Sequence, residues 1–304
     1  MPTNILLFKA EYFKCLILRG CSVFCMFQVK PMRAADFLFA TKLANTMDWN
    51  MAKEDFKFMA SLEPEGCFVV FQGAERLGIA TSIGFGQVGW FGNLIVKENT
   101  RNKGAGSLLV KHAVNYLQSR GVKTIGLYAY PHLIGFYSKL GFKLEEEFSV
   151  LHTEELGSLT AETLPKIGTR QIQAISEFDS ACFGGNRKKL LESIILEKGN
   201  LSCSLAERGK VVGYVTAKVY EKMAEVGPLT CQAGHVDGAV LLLKAALAKL
   251  TGLSVYAVLP KKETALANML FSVGFKEDFC VSRMFLGEAV SKNCIYMAES
   301  LERG

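Results

Sequence analysis

Apolar and polar residues follow two rhythms along this chain, and the rhythms change in the same order twice. From Met26 onward, Ala34 to Met47 carries apolar residues at helical spacing, and Met51 to Leu62 repeats it with Phe56, Met59 and Ala60 on one face. Strand-like runs follow at Cys67–Phe71, Leu77–Ile83 and Trp90–Val96, and the Gly-containing turns between them predict an antiparallel meander. Ser107 to Gln118 is amphipathic, with Leu109, Val110, Ala113, Val114 and Leu117 as its apolar stripe and Arg120-Gly121 as its stop. A strand at Thr124–Tyr130, a short helix at Leu133–Leu140 and a strand or hairpin at Phe142–Thr153 complete the first half.

The stretch from His152 to Gly168 is polar, with scattered Gly, Pro and Thr, and reads as a linker. Beyond it the pattern predicts helices over Ile172–Phe183 and Lys188–Glu197. Strands follow over Leu201–Ala206, Val211–Lys218 and Met223–Thr230, then a helix over Gly238–Leu250. A strand at Ser254–Leu259, a helix at Glu263–Val273 and a strand at Lys276–Leu286 end the series. A constant offset of 133 residues (241 minus 108) pairs Leu108 with Leu241, Lys111 with Lys244, Leu117 with Leu250, and Gly141-Phe142-Lys143 with Gly274-Phe275-Lys276. Matches in two separated blocks at one offset indicate an internal repeat. The division expected is an N-terminal extension at 1–25, a first domain at 26–154, a linker at 155–168, a second domain at 169–288 and a tail at 289–304.

Composition narrows the class. Half of the 304 residues are hydrophobic and only 7 are proline, which excludes a disordered or collagen-like chain. Lys and Arg outnumber Asp and Glu by 35 to 29 without forming a basic tract, so nucleic acid is not an expected partner. Ile5 to Phe27 is the most apolar stretch, but Lys9, Glu11, Lys14 and Arg19 break it below the length of a membrane span. It lacks the layout of a signal peptide. It reads either as a segment outside the fold, with the product starting at Met26, or as an amphipathic membrane-surface or partner-binding segment. Nine scattered cysteines without a CxxC pair fit a reduced cytoplasm better than a disulfide framework. Four scattered histidines give no metal site.

Two glycine patterns compete for the chemistry. Gly84-Phe85-Gly86-Gln87-Val88-Gly89 spells GxGxxG, but strand-like Trp90-Phe91 follows it where a dinucleotide fingerprint needs a helix, so a hairpin turn is expected. In Leu94-Ile95-Val96-Lys97-Glu98-Asn99-Thr100-Arg101-Asn102-Lys103-Gly104-Ala105-Gly106-Ser107 a strand runs into a glycine loop and a long helix begins at once. Backbone N–H groups at such a helix start converge on one spot, with the positive end of the helix dipole behind them, and favour a phosphate or pyrophosphate. Lys97, Arg101 and Lys103 add positive potential.

Arg101-x-x-Gly104-x-Gly106 resembles the Arg/Gln-x-x-Gly-x-Gly/Ala signature of the GNAT superfamily of acyl-CoA-dependent N-acetyltransferases. Leu94-Ile95-Val96 resembles the end of that family's fourth strand. About 35 residues after Arg101, Gly135-Phe136-Tyr137-Ser138-Lys139-Leu140-Gly141-Phe142 is similar to the FYxKxGF segment that closes its last helix. The resemblance implies an α/β (α+β) fold of two tandem GNAT modules, each a mixed, mostly antiparallel sheet flanked by helices. It implies that the backbone of Arg101, Asn102, Lys103, Gly104, Ala105, Gly106 and Ser107 holds the pyrophosphate of acetyl-CoA. It implies that Leu94, Ile95 and Val96 hydrogen-bond the pantetheine arm and help polarise the thioester, and that Tyr137 protonates the departing thiolate. A buried aromatic is the plain structural alternative for Tyr137.

Two positions depart from the family. Tyr130 stands where many members have asparagine, and no Asp or Glu lies on the fourth strand, where a general base is often found. Asp48, Asp55, Glu63 and Glu65 are candidates by location only, and Trp49 offers an aromatic to an acceptor pocket. In the second unit the offset puts Gly234, Asp237, Ala239 and Leu270 opposite Arg101, Gly104, Gly106 and Tyr137, so that unit keeps the fold and loses the cofactor. Asp179 and Arg187 are candidate polar contacts that shape the acceptor pocket or pack the two units together or, equally, a helix cap and a surface charge pair. The function expected is transfer of acetyl from acetyl-CoA to a primary amine of a small molecule or peptide. The alternative is a non-catalytic acyl-CoA-binding or regulatory protein whose second half senses a ligand.

Overall fold

A computed structural model describes residues 27–290 and 294–304, so the expectations for residues 1–25 lie outside the described residues. The first half runs β1 (Phe27–Pro31), α1 (Phe37–Ala44), α2 (Lys53–Leu62), β2 (Cys67–Gln72), β3 (Glu75–Phe85), β4 (Val88–Val96), α3 (Ala105–Ser119), β5 (Thr124–Ala129), α4 (Ile134–Ser138) and β6 (Lys143–Thr153). The second runs α5 (Ile172–Phe183), α6 (Lys188–Leu196), β7 (Leu201–Glu207), β8 (Lys210–Val219), β9 (Met223–Gln232), α7 (Val236–Leu247), β10 (Ser254–Pro260), α8 (Thr264–Ser272) and β11 (Lys276–Leu286), and β12 (Cys294–Met297) follows. The repeat is structural: β6 shifted by 133 coincides with β11 end to end. The GxGxxG segment is the β3–β4 hairpin, as its following strand required, with Gly86 at φ 81° in the turn. No helix among the described residues is long and apolar enough to cross a membrane.

The strands form one mostly antiparallel sheet in the order β1-β2-β3-β4-β5-β11-β6-β10-β9-β8-β7, with β12 paired to β9. Among the described strands only β4–β5 and β9–β10 are parallel. The two halves have exchanged their last strands. β11 lies between β5 and β6, pairing Ser282 with Ala129 and Val281 with Phe148, while β6 lies between β11 and β10, pairing Val150 with Val258. Each half therefore completes its sheet with the other half's final strand. Residues 26–154 expressed alone leave β5 and β6 without these partners, and such unpaired edges promote association. That fragment is expected to aggregate or to lack a cooperative thermal transition. A monomeric fragment with a sharp melt would contradict the exchange.

Separate cores sit under α3 and under α7. A third is shared, because Ile83, Phe85 and Trp90 of the first half pack with Ile175, Leu191, Ile194 and Tyr214 of the second. At its edge Arg187 and Asp179 meet in a bidentate pair (3.0 and 2.7 Å) with no exposure of either side chain. This corrects the cap and surface-pair reading. Two further expectations change. Cys182 on α5 and Cys294 on β12 form a disulfide with a Cα–Cα distance of 5.9 Å, while Cys67, Cys203, Cys231 and Cys280 are free. The residues expected as a tail are packed inward: Ile295, Met297, Ala298, Glu299, Ser300 and Arg303 are all buried. The isolated pattern concealed this because Glu299 and Arg303 look like surface charges, whereas here they neutralise one another at 2.8 Å beside Lys218.

Candidate active site

β4 carries the local irregularity that creates the site. Two of its residues, Asn93 and Leu94, oppose the single Ala80 of β3, which is a β-bulge, and Asn93 takes φ 51° there. The Asn93 amide holds the bulge by donating to Thr81 Oγ1 at 3.1 Å. β4 and β5 pair only from Val88 to Trp90 against Thr124 to Gly126, so beyond Trp90 they part into a V. Past the bulge, Lys97 N–H donates to Leu77 C=O at 2.8 Å, and the two-residue alternation of the ladder turns Val96 N–H and C=O away from β3.

The loop after β4 enters α3 through Gly104, the residue before its first turn, at φ 92°, with Asn102 at φ 62°. That left-handed turn suits glycine and asparagine and costs other residues energy. No side chain caps α3, so its first N–H groups remain open to an anion. A Cβ at Gly106 would stand 3.7 Å from the Phe136 ring and 3.8 Å from Val96, so α4, β4 and the start of α3 converge there.

Tyr137 on α4 lies in the same apolar cluster as Phe91, Val96 and Ala105 and is 5% exposed. Phe91, Phe136 and Phe142 meet its ring edge-on at 6.5, 5.0 and 5.9 Å. Burial holds its phenol above the usual range, so it keeps its proton at neutral pH. It is thus both a packed aromatic and a neighbour of the loop.

The positive charges near the loop are unequal. Lys97 is paired with Glu75 at 2.8 Å. Arg101 folds back so that Nε donates to Val96 C=O at 3.1 Å and its guanidinium approaches Met47 at 3.5 Å, and Lys103 donates to Asn99 C=O at 3.0 Å. The sequence-derived set Leu94–Val96, Arg101–Ser107 and Tyr137 is therefore brought to one corner of the first half.

On the opposite face, Trp49 sits in the α1–α2 connection between Asp48 and Asn50, both at positive φ, and hydrogen-bonds the Tyr130 side chain. Burial raises the Tyr130 phenol. The four carboxylates considered by location are committed or distant. Glu63 accepts from Gly84 N–H at 3.0 Å and from the Tyr116 hydroxyl at 2.5 Å. Asp55 caps α2 through Ala52 N–H at 2.7 Å, Glu65 pairs with exposed Arg33 at 3.2 Å, and Asp48 forms the turn itself. A carboxylate that the sequence did not single out, Glu302, lies against Gly92 of β4.

The second half repeats the scaffold without the opening. β9 has its bulge at Gly227-Pro228, opposite Thr216, and β9 and β10 pair only up to Val226 and Ala257. Here the V is filled by the chain itself, since Cys294 to Met297 pair with Gln232 to Leu229 and Ala298 N–H donates to Val258 C=O of β10 at 2.8 Å. Leu270, opposite Tyr137 in the repeat, is a buried core residue. The apolar run Ile295-Tyr296-Met297 was the sequence signal for this strand.

A family model described as "Acetyltransferase (GNAT) family" matches residues 35–142, and one described as "Acetyltransferase (GNAT) domain" matches residues 175–296. Among solved structures, a putative acetyltransferase from Pyrococcus horikoshii is 20% identical, covers 94% of this chain and 99% of its own, and superposes with a TM-score of 0.77. A GCN5-related N-acetyltransferase from Sphaerobacter thermophilus is 13% identical, with 88% and 98% coverage and a TM-score of 0.60. A tandem GNAT protein from the clavulanic acid biosynthesis pathway is 14% identical, with 87% and 100% coverage and a TM-score of 0.58. At such identities these structures establish the shared fold. No curated protein sequence matches the chain.

Proposed function

The chain belongs to the GNAT acetyltransferase family, with two GNAT modules in tandem, and from that premise we propose that its first module transfers the acetyl group of acetyl-CoA to a primary amine. The observation that carries this reading is the convergence of three features at one corner: the V between β4 and β5, the uncapped start of α3 behind Gly104, and Tyr137.

In this reading the backbone N–H groups from Asn102 to Ser107 hold the pyrophosphate, where the helix dipole favours negative charge, while the Arg101 N–H already donates to Glu98 C=O at 3.1 Å. The outward-facing N–H of Val96 acts as a strand-edge donor for a pantetheine amide, its C=O being taken by Arg101 Nε. An N–H of the Leu94–Val96 segment, aimed at the thioester carbonyl, stabilises the charge that gathers on that oxygen; a donor of this kind is worth about 3 kcal/mol of barrier elsewhere. Tyr137 then donates its proton to the sulfur as the C–S bond breaks. The acceptor enters from the face bounded by Trp49 and Tyr130. The second module serves as scaffold, supplying β11 to the sheet and the segment after β12 to the acceptor face.

A second acyl-CoA site in the second half is disfavoured by β12, which occupies the second V. Calorimetric titration with acetyl-CoA should therefore give one site per chain; two sites would contradict this reading of the second half. A thiol-release screen with acetyl-CoA against amino acids, polyamines, aminoglycosides and peptide N-termini tests the activity. Binding without thiol release from any of them favours the non-catalytic reading.

A further inference from the structure

The proposed reaction lacks a proton acceptor on the amine side, since a protonated amine cannot attack a thioester. We propose that Glu302, delivered by the chain's own final segment, takes that proton. The proposal rests on the acetyltransferase reading above and adds to it the group that generates the nucleophile.

The placement is direct. A Cβ on Gly92 would come within 2.7 Å of Glu302 Cα and 3.1 Å of its Cβ, so this residue of β4 is glycine where the backbone of 302 rests on it. Gly92 is two residues beyond the last β4–β5 pair, at the mouth of the V. Its neighbour Phe91 points to the other face of the sheet, where it meets Tyr137. Successive residues of a strand face opposite sides, so Glu302 and Tyr137 stand on opposite faces of the same opening. One is on the acceptor side and the other on the thiol side. Glu302 thereby substitutes for a carboxylate that β4 does not carry.

Its surroundings suit a base. The nearby cations are already engaged: Arg303 with Glu299 at 2.8 Å, and Lys218 with Glu299 and Glu225, each at 2.8 Å. Arg303 reaches Glu302 only at 3.9 Å. The Glu302 side chain is 26% exposed, so it can meet an incoming amine. Burial raises its carboxyl, Glu225 of β9 adds to the rise, and Arg303, Lys218 of β8 and the Ser300 hydroxyl oppose it. Tyr130, beyond β5, feels the charge of Glu302 in turn.

The protons balance. R–NH3+ gives one to the Glu302 carboxylate, the freed nitrogen lone pair bonds to the thioester carbon, and the C–S bond breaks. Tyr137 supplies the proton of the free thiol and is restored by the second proton lost from nitrogen. Glu302 returns its proton to water.

The test uses the full chain with acetyl-CoA and three amines of graded basicity: methoxyamine, glycinamide and spermidine. Glu302→Gln is expected to lower kcat/KM by about 100-fold with glycinamide and spermidine. It should lower the rate by under about tenfold with methoxyamine, which is neutral at this pH and needs no base before attack. The fall in rate toward acid pH should flatten in the variant, acetyl-CoA affinity should stay within about twofold, and Glu302→Asp should recover part of the rate. Rates of Glu302→Gln within about twofold of the unmodified protein across the pH range would overturn the role of Glu302 alone. A rate loss that tracks a loss of acetyl-CoA affinity would do the same, marking a structural role. No thiol release by the unmodified protein with any of the three amines would overturn the acetyltransferase reading, and this proposal with it.

Discussion

Tyr137→Phe should reduce acetyl transfer by about 10²- to 10⁴-fold, the range for losing a positioned proton donor, while acetyl-CoA binds with unchanged affinity. The substitution removes a hydroxyl from a ring held by Phe91, Phe136 and Phe142, so packing is preserved and the melting temperature should move little. The loss should be in kcat, because the proton is needed only once sulfur begins to leave. Thiol leaving groups of lower basicity need less protonation, so an acyl donor with a more acidic thiol should narrow the gap between the two proteins. Steady-state thiol release with both donors checks this. Equal turnover of Tyr137→Phe and the unmodified protein would reduce Tyr137 to a packing residue.

The largest stability effect is expected at the joint between the modules. Arg187 donates through Nε and Nη2 to Asp179 and through Nη1 to Gly304 C=O at 2.8 Å and the Tyr296 hydroxyl at 3.3 Å, and lies 3.9 Å above the Phe183 ring. Asp179 also accepts from the Tyr214 hydroxyl at 2.5 Å. Arg187→Met removes the cation and leaves a carboxylate buried without a counter-charge, a loss of about 3–5 kcal/mol. At about 1.5–2 degrees per kcal/mol for a chain of this size, Tm should fall by roughly 5–8 °C. Adding Asp179→Leu removes the stranded charge and should recover most of the loss. A single variant within about 1 kcal/mol of the parent would show that water already reaches the pair.

Much of the architecture was legible because its signals are local. The amphipathic stripe of α3 and the turn at Gly86 sit within a dozen residues of sequence, and β6, α5 and β11 fall where the apolar pattern places them. The repeat was legible because both copies still bury equivalent faces. The site loop was legible because a left-handed turn at Gly104 leaves a residue signature. What the sequence concealed depends on distant partners. The pairing of β11 with β5 sets Ser282 beside Ala129, and no local pattern encodes which of two similar edges a strand will join. Residues 299–304 are rich in charge and read as solvated, yet Glu299, Arg303 and Lys218 neutralise one another over a sequence separation of 81 residues. Cys182 and Cys294 are 112 residues apart and share no spacing motif. Gly92 was unremarkable until Glu302 was found resting on it.

The exchanged strands also set an order of events during synthesis. β5 and β6 leave the ribosome early, but β11, which must lie between them, begins 123 residues after β6 ends (276 minus 153). At roughly 5–20 residues per second this is a wait on the order of ten seconds. Through that interval the nascent first half exposes two open strand edges and cannot close its own sheet. Its folding is therefore timed by the translation of the second half, and a pause in that stretch lengthens the period in which a neighbouring nascent chain can pair with β5 in place of β11.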